Sequence, residues 1–258
     1  MPNDLSSLRV MVTRPPHQAG ALMEQLQAAG AKPWSFPLLE ITPCDSPQLE
    51  RLITQLEQYD LAIFISPNAV RYGVEAVTQR RAWPDTLRLA TIGKGSEQEL
   101  LARLGRAADI VPSSGSDSEA LLQHSALQNV GGKHILIFRG RNGRELLADS
   151  LRARGAQVDY AEVYERHRPE VDTAPLNTAL QSGSINVILI SSNEALDNLL
   201  SMVETTNLNA LYQIPLVVIH PRQAERAQQL GFRYNPILAH NGSVGAIIKA
   251  LTSLRASA

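Results

Sequence analysis

The chain of 258 residues contains a single cysteine, Cys44, so no disulfide can form within it. Cys44 lies between Pro43 and Asp45, with no neighbouring base to activate its thiol, and it reads as structural. Neither sign of charge is in excess: 24 Lys and Arg against 25 Asp and Glu leave a net −1. A nucleic-acid backbone or an anionic membrane demands a basic surplus, so neither is expected as a partner. No apolar run approaches the ~20 residues that span a bilayer. The start, Met1-Pro2-Asn3-Asp4, has no basic segment followed by an apolar one, so a cytoplasmic protein is expected. Familiar catalytic sets are missing as well. The six histidines show no metal-ligand spacing, no Gly-x-Ser-x-Gly elbow occurs, and no dinucleotide fingerprint follows the first strand. Gly93-Lys94-Gly95-Ser96 lacks the spacing of a P-loop. A bound anion must be held by local donors.

Against these absences stands a tandem similarity. Val10-Met11-Val12-Thr13-Arg14 resembles Ile135-Leu136-Ile137-Phe138-Arg139, with Gly30 and Gly155 each 16 residues beyond the arginine. Ala62-Ile63-Phe64-Ile65-Ser66-Pro67-Asn68 is matched by Val187-Ile188-Leu189-Ile190-Ser191-Ser192-Asn193, and Leu89-Ala90-Thr91-Ile92 by Val217-Val218-Ile219. Arg14 and Arg139 are 125 residues apart, Ser66 and Ser191 also 125, and Ile92 and Ile219 127. A near-constant offset across three motifs argues for duplication. Continuous apolar runs such as Leu61–Ile65 suit strands of a parallel sheet covered on both faces. Leu22, Leu26 and Ala29, like Leu146, Leu147 and Leu151, keep helical spacing. Gly30, Gly105, Gly155 and Gly231 follow helical patterns, where a left-handed cap is wanted. The class is α/β: two similar, flavodoxin-like parallel-sheet lobes.

Proline marks where the chain crosses between them. Phe36-Pro37 to Pro47 and Val163-Tyr164 to Pro175 read as extended connectors, whereas junctions such as Asn129-Val130-Gly131-Gly132 are short. The expected organisation is a discontinuous lobe of residues 1–37 and 172–258 and an inserted lobe of residues 46–162. Residues 38–45 and 163–171 form a two-strand antiparallel connector. Two lobes in simple sequence are the alternative. Such connectors predict hinge motion.

In open parallel sheets ligands bind beyond the carboxyl ends of the strands. The residues there are Thr13-Arg14, Ser66-Pro67-Asn68, Lys94-Gly95-Ser96, Arg139-Gly140 and Ser191-Ser192-Asn193. They are small, hydroxylic, amide or basic, and each group opens a helix, whose free N–H groups and positive dipole end attract carboxylate or phosphate. Ser66, Asn68, Ser191 and Asn193 equally suit plain N-caps. Several such helix starts facing one cleft would hold a ligand of many negative charges.

At this point the sequence resembles the uroporphyrinogen-III synthase family over nearly its whole length. The resemblance rests on the order of Val12-Thr13-Arg14-Pro15, Ile65-Ser66-Pro67-Asn68-Ala69-Val70, Ile92-Gly93-Lys94-Gly95-Ser96, Phe138-Arg139-Gly140, Gly143-Arg144, Val163-Tyr164 and Ile190-Ser191-Ser192. It implies a cofactor-free, cyclising hydro-lyase of tetrapyrrole (haem, sirohaem) biosynthesis. Its substrate would be hydroxymethylbilane, a linear tetrapyrrole with eight carboxylates. Loss of hydroxide leaves a cationic azafulvene, the far ring attacks through its substituted carbon to a spiro intermediate, and fragmentation and recombination invert ring D. The resemblance makes Tyr164 the donor that assists hydroxide departure and adds Ala69 and Arg144 to the substrate-binding set. His220-Pro221-Arg222 departs from the small-residue turn usual in the family, and Arg222 is kept as a further carboxylate-binding candidate. A monomer is expected, with a transient contact to the preceding enzyme of the pathway. Two other readings stand beside this one: a non-catalytic two-lobed binding protein for a small polyanion, and a duplicated regulatory domain. The 5% aromatic content and the missing signal peptide weigh against the first, and the absence of an acidic cluster after a strand against the second.

Overall fold

The computed structural model of the chain describes residues 4–256. Its first half runs β1 (Arg9–Val12), α1 (Pro16–Ala28), β2 (Lys32–Ser35), β3 (Glu40–Pro43), α2 (Pro47–Thr54), β4 (Leu61–Phe64), α3 (Pro67–Thr78), β5 (Arg88–Thr91), α4 (Lys94–Leu104) and α5 (Ser118–Leu122). The second runs β6 (His134–Gly140), α6 (Leu146–Ala153), β7 (Gln157–His167), α7 (Ala174–Gln181), β8 (Val187–Ile190), α8 (Asn193–Met202), α9 (Leu208–Tyr212), β9 (Leu216–Val218), α10 (Pro221–Gln229), β10 (Ile237–Leu238) and α11 (Val244–Ala256). The chain divides into two compact units, Met1–Glu40 with His167–Ala258, and Ile41–Arg166.

The first unit holds a five-stranded sheet in the order β10-β9-β8-β1-β2. All four neighbouring pairs are parallel. Counted along the chain this is the flavodoxin-like order 2-1-3-4-5, whose switch point lies between β1 and β8. Alternation of the strands divides the core in two. Met11, Ile188 and Val218 join one apolar cluster, and Val10, Val12, Val187 and Val217 the other. Burial on both faces is why these strands read as unbroken apolar runs.

The second unit holds the order β3-β7-β6-β4-β5. Its four strands β7, β6, β4 and β5 pair in parallel. They repeat the arrangement of the first unit, but β4 and β5 precede β6 and β7 in the chain, so the switch point falls between β6 and β4. Ala62, Phe64, Leu136 and Phe138 face one cluster, Leu61, Ile63, Ile135 and Ile137 the other. Strand β7 continues without a break from Gln157 to His167, and the Cys44 amide donates to the Val163 carbonyl at 3.0 Å beside it. Burial raises the Cys44 thiol pKa, in keeping with an unreactive cysteine.

Strand register fixes which residues correspond. Val10 lies beside Val187 as Ile135 lies beside Leu61, so Arg14 and Arg139 are equivalent at the expected offset of 125. The second motif is offset by 126: Ser66 corresponds to Ser192, not Ser191. Ser66 accepts from the Ala69 amide and Ser192 from the Ala195 amide, both at 3.0 Å. Two adjacent serines made the alignment ambiguous, and the capping geometry decides it. The four glycines expected to close helices all have positive φ, from 68° at Gly105 to 93° at Gly231.

An acid-sensitive clamp sits at the opposite, amino-terminal edge of this second sheet. Asp60 accepts from Lys133 Nζ at 2.8 Å and from the His134 amide at 2.9 Å. The Lys133 hydrogen bond, then the amide, holds its carboxyl below the ordinary carboxylate range. Such a group stabilises the fold above the unfolded-chain value, about 4, and loses that contribution as pH falls through the folded value. Asp60→Asn is expected to flatten the fall of unfolding free energy with acidification below about pH 4, measured by urea titration. An unchanged slope would deny the clamp a role.

Candidate functional site

Beyond the carboxyl ends of β4, β5 and β6 the second unit has a cavity of about 320 Å³. It lies at the switch point, where open α/β sheets bind their ligands. Ser66, Arg139, Gly140, Arg144 and Tyr164, all singled out in the sequence, line it. Ser116, Asp117, Ser118, Tyr160 and Arg166 line it too and lay outside the sequence-derived set. None follows a buried strand directly as Ser66 does, and none falls in the motifs that carry the family resemblance, as Arg144 and Tyr164 do, so neither pattern nor motif marked them.

Tyr164 is held in place by packing. It is 6% exposed, its ring is tilted against that of Tyr72 at 5.8 Å, and its hydroxyl lies 3.2 Å from Ser66 Oγ. The β6–β7 register explains its position. Arg139 pairs with Glu162, but Gly140 pairs with Tyr164, so Val163 is passed over. Val163 and Tyr164 consequently both join one apolar cluster instead of alternating. An extra residue of this kind re-aims a side chain. A Cβ on Gly140 would lie 2.6 Å from the Tyr164 ring. Ser66 Oγ already accepts from the Ala69 amide, so its own hydrogen is free to point at the tyrosine oxygen.

Arg139 is 2% exposed and makes two hydrogen bonds and a ring contact. Nη1 donates to Glu145 Oε1 at 2.9 Å, Nε donates to the Gly140 carbonyl at 3.3 Å, and the guanidinium lies 4.2 Å from the centroid of the Tyr160 ring. Tyr160 in turn donates to Glu145 Oε2 at 2.5 Å. Burial first, then this hydrogen bond, pushes the Tyr160 pKa up to about 12. The hydrogen bonds from Tyr160 and Arg139 hold Glu145 below the ordinary range. Arg144 is exposed and donates to Glu119 at 2.6 Å.

The remaining sequence-derived residues of this unit do not line the cavity. Ala69 and Ser96 are buried, and their amide hydrogens go to Ser66 Oγ and the Gly93 carbonyl. Their part is to build the helix starts. Asn68 is half-buried in the first turn of α3, while Lys94 and Gly95 are exposed at the start of α4, where helix geometry leaves the first amides without an acceptor. A Cβ on Gly95 would touch Pro67 at 3.8 Å, so the two helix starts are neighbours.

In the first unit Thr13 is buried and its hydroxyl donates to the Leu189 carbonyl at 2.5 Å, tying β1 to β8. Arg14 is half-buried and donates to the Gly242 carbonyl at 2.5 Å. Burial lowers its pKa. Ser192 caps α8, Ser191 is half-buried beside it and Asn193 is exposed. His220 occupies the place of Gly93 and caps α10: its Nδ1 accepts from the Arg222 amide at 3.2 Å. The Arg222 side chain is exposed. Among the described residues no cluster of three or more His, Cys, Asp or Glu is gathered, and no helix is long and apolar enough to cross a membrane.

The second unit is thus a parallel α/β sheet with hydroxyls, guanidinium groups and helix starts around a cavity at its switch point. The same fold occurs in a solved uroporphyrinogen III synthase of Thermus thermophilus, with a TM-score of 0.65 at 17% identity over 97% of this chain and 98% of that one. It occurs also in the Helicobacter pylori 26695 uroporphyrinogen-III synthetase, with a TM-score of 0.62 at 14% identity over 96% and 100%. The family model described as Uroporphyrinogen-III synthase HemD matches residues 20–246. The chain is 32% identical to the uroporphyrinogen-III synthase of Escherichia coli K12 and 34% identical to that of Salmonella typhimurium LT2, in each case over 95% of this chain and 100% of the relative. The chain belongs to the uroporphyrinogen-III synthase family.

Proposed function

We propose that the protein converts hydroxymethylbilane to uroporphyrinogen III, releasing water, as a cofactor-free lyase acting as a cytoplasmic monomer. The observation that carries this reading is the buried Tyr164 hydroxyl, set 3.2 Å from a helix-capping serine at the edge of the switch-point cavity, in a chain of this family. The synthase names of full-length relatives favour it over a non-catalytic receptor.

The chemistry asked of the protein is modest. The hydroxymethyl oxygen must leave with a proton, and Tyr164 O–H supplies a hydrogen bond to it. Ser66 donates to the tyrosine oxygen, and the Ala69 amide donates to Ser66. Hydrogen bonds in such a chain strengthen one another. Pyrrole nitrogens push electrons into the departing bond. The azafulvene is then attacked by the substituted carbon of the far ring. The spiro intermediate fragments and recloses at the unsubstituted position, with loss of one proton. Holding the two reacting ends in register does most of the work. For that task the proposal assigns the amides at the starts of α3, α4 and α8 and the cations Arg14, Lys94, Arg144 and Arg222. Donors of this kind grip carboxylates. In the same reading β3 and β7 act as a connector between lobes.

Incubation with freshly prepared hydroxymethylbilane, followed by oxidation and chromatography of the porphyrin isomers, tests the reading. Type III product in excess is expected. Only the type I ring, which closes without an enzyme, would refute it.

A further inference from the structure

Two donors converge on one carboxylate at the wall of the cavity. Arg139 Nη1 and Tyr160 Oη hold the two oxygens of Glu145 at 2.9 and 2.5 Å. The donors are built in: Arg139 is 2% exposed, stacks on Tyr160, and is closed over so tightly that a Cβ on Gly143 would lie 2.5 Å from its Nη2. The acceptor is not built in. The Glu145 side chain is 54% exposed. It follows the loop of Asn142, whose φ is 61°, and although it stands at the N-cap position of α6 it makes no capping bond with its side chain. Arg139 and Tyr160 line the cavity, whereas Glu145 enters their site from the exposed loop side.

The equivalent cation of the other unit shows what the sheet position itself requires. Arg14 meets the Gly242 carbonyl, at 2.5 Å, and no carboxylate lies within ion-pair distance of it among the described residues. A half-buried arginine at this place is therefore compatible with the fold without an acidic partner. The carboxylate at Arg139 is an addition of the second unit.

We infer that Arg139 and Tyr160 form a carboxylate socket for the ligand, and that Glu145 is its resident occupant, displaced when a ligand carboxylate enters. One carboxylate replaces another, so the buried guanidinium keeps its counter-charge throughout and the desolvation cost of an unpaired buried cation never arises. Release of Glu145 removes one tie of residues 141–145, which stay held by the Arg141–Glu165 and Arg144–Glu119 ion pairs. This deepens the reading proposed above, in which the ligand is a polycarboxylate with acetate and propionate arms.

Sodium propionate is the probe, with sodium chloride at equal ionic strength as control. Removing the occupant should open the socket. Glu145→Ala is expected to bind propionate at least tenfold more tightly than the wild type, read from its carboxyl ¹³C shift and from a saturable rise in melting temperature. Glu145→Gln, close in shape, serves if the alanine variant folds poorly. Adding Tyr160→Phe to either should weaken propionate binding again. Equal propionate response in wild type and variants overturns the inference. The isomer assay on the same preparations keeps the two ideas apart. A propionate-binding socket without type III product would retain the socket and discard the substrate; product without a propionate response would do the reverse.

Discussion

Tyr164→Phe is expected to lower the rate of type III product formation by about 10²-fold, within the range for loss of a positioned proton donor, while the protein stays folded. The reasoning separates the two jobs of the side chain. Its ring fills space beside Tyr72 and against Gly140, and phenylalanine keeps that ring. The hydroxyl makes one hydrogen bond, to Ser66, at 3.2 Å. A typical bond of this kind is worth about 1 kcal/mol net, and Ser66 retains the Ala69 amide. A melting temperature only a few degrees below wild type should therefore accompany the loss of turnover. Ser66→Ala distinguishes catalysis from positioning. It removes the helix cap, costing about 1 kcal/mol, and leaves the tyrosine hydroxyl without its partner while keeping the hydroxyl itself. Its rate should fall less than that of Tyr164→Phe, with the larger loss of stability. Wild-type turnover in folded Tyr164→Phe would remove the tyrosine from the mechanism.

The sequence shows most of the sheet architecture and only part of the site, for physical reasons that particular residues illustrate. Leu61–Phe64 and Val187–Ile190 are buried on both faces, so their apolar runs carry the parallel sheets openly. Ser66 and Arg139 are visible because strand-end chemistry repeats between the halves. What a repeat cannot show is where the halves differ. Arg139 reads as a strand-end ligand group, and only the structure shows that Glu145, six residues on, and Tyr160, on the next strand, enclose it. Ala69, Ser96 and Thr13 read as ligand groups, yet their burial assigns them to building the strand ends. His220 replaces Gly93 at the corresponding N-cap, a side-chain acceptor where the other unit leaves no room for a side chain beside Ser116, a difference that the motif alone does not disclose. The placement of Tyr164 depends on a one-residue shift of register between β6 and β7, and the adjacent apolar pair Val163-Tyr164 that accompanies it equally suits a strand buried on both faces.

That shift makes Gly140 the residue on which the tyrosine depends most, and Gly140→Ala should nearly match Tyr164→Phe in lost activity while costing more stability. The added methyl would sit 2.6 Å from Tyr164 Cε2 and Cζ and 3.0 Å from its hydroxyl. Real carbon contacts do not approach so closely, so the ring must turn or β6 and β7 must part. The φ of Gly140 is not among the positive ones, so alanine suffers no backbone strain there and gains up to about 1 kcal/mol from a stiffer unfolded chain. Overpacking in a buried site costs about 1–3 kcal/mol, and because that cost exceeds the gain the variant is destabilised. A ring that turns away carries its hydroxyl off Ser66 and out of line with the leaving group. Two measurements check the account. Gly140→Ala should add little further loss of turnover in a Tyr164→Phe background, because the hydroxyl is already gone. Its cost in stability should shrink in a Tyr164→Ala background, where the clashing ring is absent, giving a coupling of about 1 kcal/mol or more between contacting residues. Additive effects on stability would mean that the methyl is resisted by something other than the tyrosine, and full activity in Gly140→Ala would mean that the ring position does not matter.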